Sequence, residues 1–67
     1  MRSNMATLVM TKASNLQCGD TILQNNKVFN VQSIDGPDHT GTYDLHVKDE
    51  QGKDKFVIVQ NLVTIIM

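Results

Sequence analysis

The feature that most constrains this chain is an alternation of apolar and polar residues, interrupted by turn signals about every 8–12 residues. In the segment 42–48, every second residue is apolar: Tyr43, Leu45 and Val47. A period of two is typical of a β-strand with one buried face, whereas a helix needs a period near 3.6, which is weak throughout this chain. The pattern therefore predicts an all-β fold with no helix longer than two turns.

The same signals divide the rest of the chain into short strands and turns. We expect strands over 6–11, 21–24, 27–34, 42–48, 53–59 and 62–67. Asn25-Asn26 predicts a two-residue hairpin turn, because asparagine tolerates the positive φ that such turns require. Segment 12–17 is expected to be a turn or one helical turn. Five or six short antiparallel strands predict a small closed or half-closed barrel, since closure hides the edges of flat, apolar strands.

The register of the hairpin formed by the predicted strands 42–48 and 53–59 can also be predicted. A four-residue turn over 49–52 places Lys48 opposite Lys53 and Leu45 opposite Phe56. This register pairs apolar residues, and a slip of one residue would break it. Tyr43 would lie opposite Ile58, so Phe56 and Ile58 are then core residues, and Leu62 is a further core candidate. Phe56→Ala is expected to unfold the domain or nearly so.

Composition limits the function classes. The 67 residues suffice for one domain, and six Lys and Arg against seven Asp and Glu give a net charge of −1. Dedicated nucleic-acid-binding domains normally carry a basic excess, and stacking platforms need more aromatic side chains than one Tyr and two Phe. One basic cluster on the predicted outer face of the hairpin is the candidate anion or nucleic-acid site: His46, Lys48, Lys53 and Lys55. A solvated strand face is the simpler interpretation.

No motif typical of catalysis or metal binding is present. There is no glycine-rich phosphate loop, no Gly-x-Ser-x-Gly and no His-Glu metal motif. His39 and His46 have aspartates nearby, but their spacing matches no zinc or calcium signature, and we interpret them as a turn residue and an exposed strand residue. We therefore expect no enzyme activity, no metal and no cofactor.

The single cysteine, Cys18, bears on the compartment. A lone thiol cannot form an internal disulfide, which fits a reducing compartment, and we expect Cys18 to be a small buried residue. No apolar run approaches the length of a membrane span, and no signal peptide is recognised. These observations predict a cytoplasmic protein.

Two segments carry a pattern that resembles a known fold family: Leu16-Gln17-Cys18-Gly19-Asp20-Thr21-Ile22 and Lys27-Val28-Phe29-Asn30-Val31. They resemble the Leu-x-x-Gly-Asp-x-Ile and Lys/Gly-x-Phe/Tyr-x-Val segments of SH3-like small barrels, such as the first domain of elongation factor P and the translation-type KOW modules. The resemblance covers roughly residues 13–66 and implies an SH3-like barrel. We expect the barrel domain over 13–67, after an N-terminal extension over 1–12 for which a first strand is one interpretation. The elongation-factor domain carries a modified lysine in the loop between its second and third strands, but loop 35–41 of this chain has no lysine, so that role is not carried over.

Two functional hypotheses remain open. The first is a small non-enzymatic interaction module or accessory protein that acts through protein contacts or self-association. The alternative is a nucleic-acid-binding barrel associated with translation or transcription. The apolar segment 62–67 is expected to be the closing strand of the barrel, and its alternative role is an interface strand added to another chain.

Overall fold

Six antiparallel strands form one continuous sheet in the computed structural model, which describes residues 7–67. Their order across the sheet is β1-β6-β2-β3-β4-β5. The strands are β1 (Leu8–Lys12), β2 (Thr21–Gln24), β3 (Lys27–Asp35), β4 (Thr42–Lys48), β5 (Asp54–Gln60) and β6 (Leu62–Ile66). The helical content of the described residues is one 3₁₀ turn over Ala13–Asn15. The predicted all-β class and the absence of a long helix are confirmed for this part of the chain.

The strand boundaries follow local backbone chemistry. Asn25 and Asn26 form the β2–β3 turn with φ of 53° and 63°, as their residue type predicted. Asn61 also has a positive φ, 63°, and separates β5 from β6. The chain reverses at Asn25-Asn26 and bends from one strand into the next at Asn61. Asparagine suits these positions because its short polar side chain tolerates the left-handed region better than other side chains do.

The core lies on one face of the curved sheet. Its buried residues are Ala13, Leu16, Ile22, Phe29, Val31, Leu45, Val47, Val59 and Val63. The register of β3 on β4 shifts between Val31 and Ser33, which marks a β-bulge at Gln32. The extra residue lets both Val31 and Ile34 face the core, although they are three positions apart.

The sheet is open. β6 pairs with β1 on one side and β2 on the other, so β1 is one edge and β5 is the opposite edge. Within residues 7–67 no pairing joins these two edges, and the predicted closure into a barrel is not present.

The N-terminal segment belongs partly to the sheet. Residues 1–6 of the predicted extension lie outside the described residues. The amide and carbonyl of Thr7 pair with Met67, and the Ala13 amide donates to the Asn61 carbonyl at 2.7 Å. The extension predicted over 1–12 therefore contributes β1 to the same sheet as the rest of the chain.

Cys18 is exposed, so the prediction that it is buried is wrong. It lies in a tight turn in which the Asp20 amide donates to the Gln17 carbonyl at 3.1 Å, and the Gln17 amide donates to the Asp20 carboxylate at 2.9 Å. Turns of this kind lie on the surface because their backbone groups need water or local partners.

The predicted register of the β4–β5 hairpin is wrong by one residue. Lys48 lies opposite Asp54 and Leu45 opposite Val57. The loop has three residues, Glu50 to Gly52, and is closed by Asp49, whose amide donates to the Lys53 carbonyl at 2.9 Å. Gly52 adopts a φ of 80°, which is typical of the last residue in a three-residue hairpin loop. The change from four loop residues to three reverses the face of every side chain in β5.

This change removes Phe56 from the core. Phe56 is 78% exposed and Ile58 is 65% exposed, whereas Val59 is 5% exposed. The prediction that Phe56 and Ile58 are core residues is therefore wrong, and the expectation that Phe56→Ala unfolds the domain loses its basis. Leu62, also a core candidate, is exposed because its neighbour Val63 takes the inward position.

Candidate functional site

An exposed apolar surface lies on the outer face of β4 and β5. His46 pairs with Phe56 across the two strands, and Ile58 follows on the same face opposite Asp44. The rings of His46 and Phe56 stack, with centroids 5.1 Å apart and an interplanar angle of 26°. We call His46, Phe56 and Ile58 the outer patch. Ser33, Asp35 and Asp44 line the same shallow depression.

Asp54 neutralises the basic groups beside the outer patch. Its Oδ1 lies 2.9 Å from His46 Nε2 and 3.7 Å from Lys48 Nζ. The hydrogen bond with His46, and then the charge of Lys48, hold the pKa of the Asp54 carboxyl below its usual range. The charge of Lys48 is thus partly compensated within the protein, and this end of the patch carries little net charge.

The opposite end of the patch is acidic. Asp35 on β3 lies directly opposite Asp44 on β4, and like charges in this position are mildly unfavourable. Within the described part of the chain neither carboxylate forms an ion pair. An anionic partner such as a phosphate backbone is therefore repelled from this end of the surface.

The four predicted site residues do not share one face. His46 and Lys48 lie on the outer face, Lys53 closes the hairpin loop, and Lys55 lies opposite the buried Val47, on the side of the core. The one-residue shift in register separates them. Anion or nucleic-acid binding by these residues stays a prediction, but the shared face on which it rested is absent.

Lys55 lies by a different depression. It shares that depression with Lys27 and with Asn25 of the β2–β3 hairpin. Asp49 also lines it, which offsets part of the positive charge. His39 lies in the exposed loop 38–41, apart from His46, and within residues 7–67 no three His, Cys, Asp or Glu side chains form a metal-binding group.

The backbone of β5 is open along one edge. The Asp49–Lys53 pair is hydrogen-bonded, and antiparallel pairs alternate, so residues 55, 57 and 59 direct their backbone groups toward β4. Residues 54, 56, 58 and 60 direct theirs away from the sheet. In the described structure these outward groups have no backbone or side-chain partner. An exposed apolar patch therefore coincides with an unpaired strand edge.

Sequence reasoning missed Phe56 and Ile58 as surface residues. The signal that identifies them is Gly52, because a glycine three positions after Asp49 is typical of a three-residue loop with its last residue in the left-handed region. That loop gives the observed register.

Comparison with known proteins adds no family to this description. The chain matches no protein-family model, no curated protein and no solved structure at a significant level. Among the described residues, none belongs to a helix that is long and apolar enough to cross a membrane. The resemblance to SH3-like barrels thus stays a prediction from the sequence.

Proposed function

We propose that this protein is a small, non-enzymatic, cytoplasmic interaction module that acts through protein contacts made by the outer patch and the free edge of β5. The observation that carries the proposal is the exposure of Phe56 and Ile58, 78% and 65%, on a strand whose outer backbone groups are unpaired. Adding a strand to such an edge is a common mode of recognition, in which backbone hydrogen bonds give affinity and side-chain contacts give specificity.

The energetic argument rests on what these side chains gain when covered. Full burial of a Phe or Ile side chain stabilises by roughly 1.5–3 kcal/mol relative to exposure. Natural edge strands are usually short, charged, bulged or covered, because a flat apolar edge pairs with other chains. On β5 the exposed side chains of Phe56 and Ile58 lie on either side of Val57, which packs against the core, and a protein partner on the free edge would cover the two exposed side chains.

A nucleic-acid-binding barrel is the second proposal. The depression shared by Lys27 and Lys55 supports it, as does the resemblance to translation-type barrels. Three observations favour protein contacts instead: Lys48 is paired with Asp54, Asp35 and Asp44 are adjacent, and the net charge is −1. The open sheet of six antiparallel strands is compatible with a half-closed SH3-like barrel under either proposal.

Site-specific photo-cross-linking in the cells that carry the gene tests the first proposal. A benzophenone amino acid replaces Phe56 in one variant and the exposed loop residue Gln51 in a matched control. We expect discrete protein adducts from position 56 that are absent from position 51. Equal labelling from both positions, or none from position 56, would contradict the proposal.

RNA and DNA titrations at two salt concentrations address the second proposal. Phosphate contacts weaken steeply as salt rises, whereas apolar strand contacts do not. Micromolar, salt-sensitive binding that Lys27→Gln with Lys55→Gln abolishes, and that Phe56→Ser leaves unchanged, would replace the first proposal with the second.

A further inference from the structure

We infer that the partner of β5 is β5 of a second copy of this chain, paired edge to edge and antiparallel about a two-fold axis at Val57. The inference rests on the proposed function, because it names the occupant of the same surface. The pairing joins two six-stranded sheets into one continuous sheet. Closed two-fold pairing of this kind is the commonest form of homo-oligomer.

The backbone of β5 meets the geometric requirement for this pairing. With the axis at Val57, Phe56 lies opposite Ile58 of the second copy, and Asp54 lies opposite Gln60. All four are residues whose amide and carbonyl groups point away from β4, so each facing pair can exchange two hydrogen bonds. An axis between two residues would instead place outward groups opposite inward ones and break the ladder.

The side chains favour this axis over its neighbours. On the outer face it pairs Phe56 with Ile58 of the second copy twice, which joins the two outer patches into one apolar surface. An axis at Phe56 would place Asp54 against an apolar Ile58, and an axis at Ile58 would place Phe56 against Gln60. Only the axis at Val57 matches apolar with apolar and polar with polar along the whole outer face.

Charge does not oppose the dimer. Lys55 lies opposite Val59 of the second copy, about 13 Å along the strand from the symmetry-related lysine, given a rise of about 3.3 Å per residue. The ammonium groups of the two lysines therefore lie apart, and each side chain is exposed and can keep its charge in water. Each chain carries a net charge of only −1, so we expect the dimer to depend little on salt.

The opposite edge of the sheet serves as the comparison. By the same alternation, Met10 on β1 directs its backbone groups away from β6, and its side chain is 62% exposed. Residues 1–6 precede β1 and lie outside the described structure, so nothing assigns a partner to that edge. β5 has no such neighbour in sequence, being preceded by the tight loop 50–52 and followed by β6.

The area involved sets the expected strength. A stable interface buries about 800 Å² on each partner, which is about one sixth of the 4886 Å² of accessible surface of the chain. A seven-residue strand with two large apolar side chains provides less than that. We therefore expect a reversible dimer with a dissociation constant of about 10–500 µM.

Analytical ultracentrifugation of the full chain from about 5 µM to about 1 mM measures the dimer. Ile58→Pro removes an outward amide and keeps the hydrogen bonds to β4, since proline is tolerated on the solvent side of an edge strand. We expect it to weaken dimerisation at least tenfold. Met10→Pro, the matched change on the β1 edge, should alter it less than twofold. Phe56→Lys, which leaves the backbone intact, should also weaken it and covers the case in which Ile58→Pro fails to fold.

Single cysteines locate the axis. In a Cys18→Ser background, oxidised glutathione should convert Val57→Cys to a disulfide-linked dimer faster than Lys55→Cys, although residue 55 is the more exposed of the two, because only residue 57 faces its own copy across the two-fold axis. A monomer at every concentration would overturn the inference, and equal rates at both positions would overturn the axis. If the chain stays monomeric while position 56 still cross-links a different protein in cells, the proposed function stands and the second copy is the wrong occupant. If the chain dimerises through β5 but captures no other protein, self-association is the protein contact.

Discussion

Leu45 and Phe56 lie on adjacent strands of one hairpin, and the structure predicts a large loss of stability when Leu45 is truncated and a small one when Phe56 is. Leu45 is 0% exposed and belongs to the core, whereas Phe56 is 78% exposed. Leu45→Ala creates a cavity and should cost about 2–5 kcal/mol of unfolding free energy. Phe56→Ala removes a surface side chain and its stacking on His46, which should cost less than about 1 kcal/mol.

The difference is large relative to the stability of the whole domain. At about 0.05–0.15 kcal/mol per residue, a chain of this size has a net stability of roughly 3–10 kcal/mol. Leu45→Ala therefore removes a large fraction of it and should lower the melting temperature by about 10 °C or more, at about 4–8 °C per kcal/mol. Phe56→Ala should shift the melting temperature by about 5 °C or less.

Urea unfolding followed by far-ultraviolet circular dichroism measures both changes. The protein concentration stays at roughly a few micromolar, below the dissociation constant expected for the dimer, so that association does not add to stability. If the m-value, which is the slope of the unfolding free energy against urea concentration, is the same in the variant and the wild type, only the stability has changed. If Phe56→Ala proved as destabilising as Leu45→Ala, Phe56 would be a core residue and the observed register of β4 on β5 would be refuted.

Three further outcomes are expected. Gly52→Ala should cost about 1–2 kcal/mol of unfolding free energy, because its φ is 80°, although the added Cβ meets no atom within 4 Å. Gly36→Ala should cost more in the same urea assay, because its Cβ would lie 2.9 Å from the Thr42 carbonyl oxygen. The pKa of Asp49 is lowered, chiefly by the hydrogen bond from the Lys53 amide. Its contribution to stability is therefore present above the unfolded pKa near 3.8 and is lost as pH falls through the lower folded pKa. Between about pH 5 and pH 2, the melting temperature of Asp49→Asn should depend less on pH than that of the wild type. Chelators should leave the melting temperature unchanged, and a clear decrease in calorimetry would contradict the prediction that the protein binds no metal.

Local residue chemistry was sufficient to predict most of the strands. The alternation in 42–48 predicted β4 with its bounds, and Asn25-Asn26 predicted the β2–β3 turn. These features depend on a few neighbouring residues, so one sequence contains the information. No local sequence pattern predicts the bulge at Gln32, because the bulge depends on how β3 bends to pair with β4 while Ile34 faces the core.

The register of β5 decided which surface could be functional. A loop of four residues and a loop of three differ by one residue, yet they place opposite faces of the following strand on the core. Both registers offer apolar residues to the core, Phe56 and Ile58 in one and Val57 and Val59 in the other, so hydrophobicity alone does not separate them. Two local features favour the shorter loop: Gly52 takes the left-handed backbone conformation, and the Asp49 carboxylate accepts the amides of Gln51 and Lys53 at 2.9 Å each. The valines then face the core, and the larger Phe56 and Ile58 lie on the free edge, where a second chain can cover them.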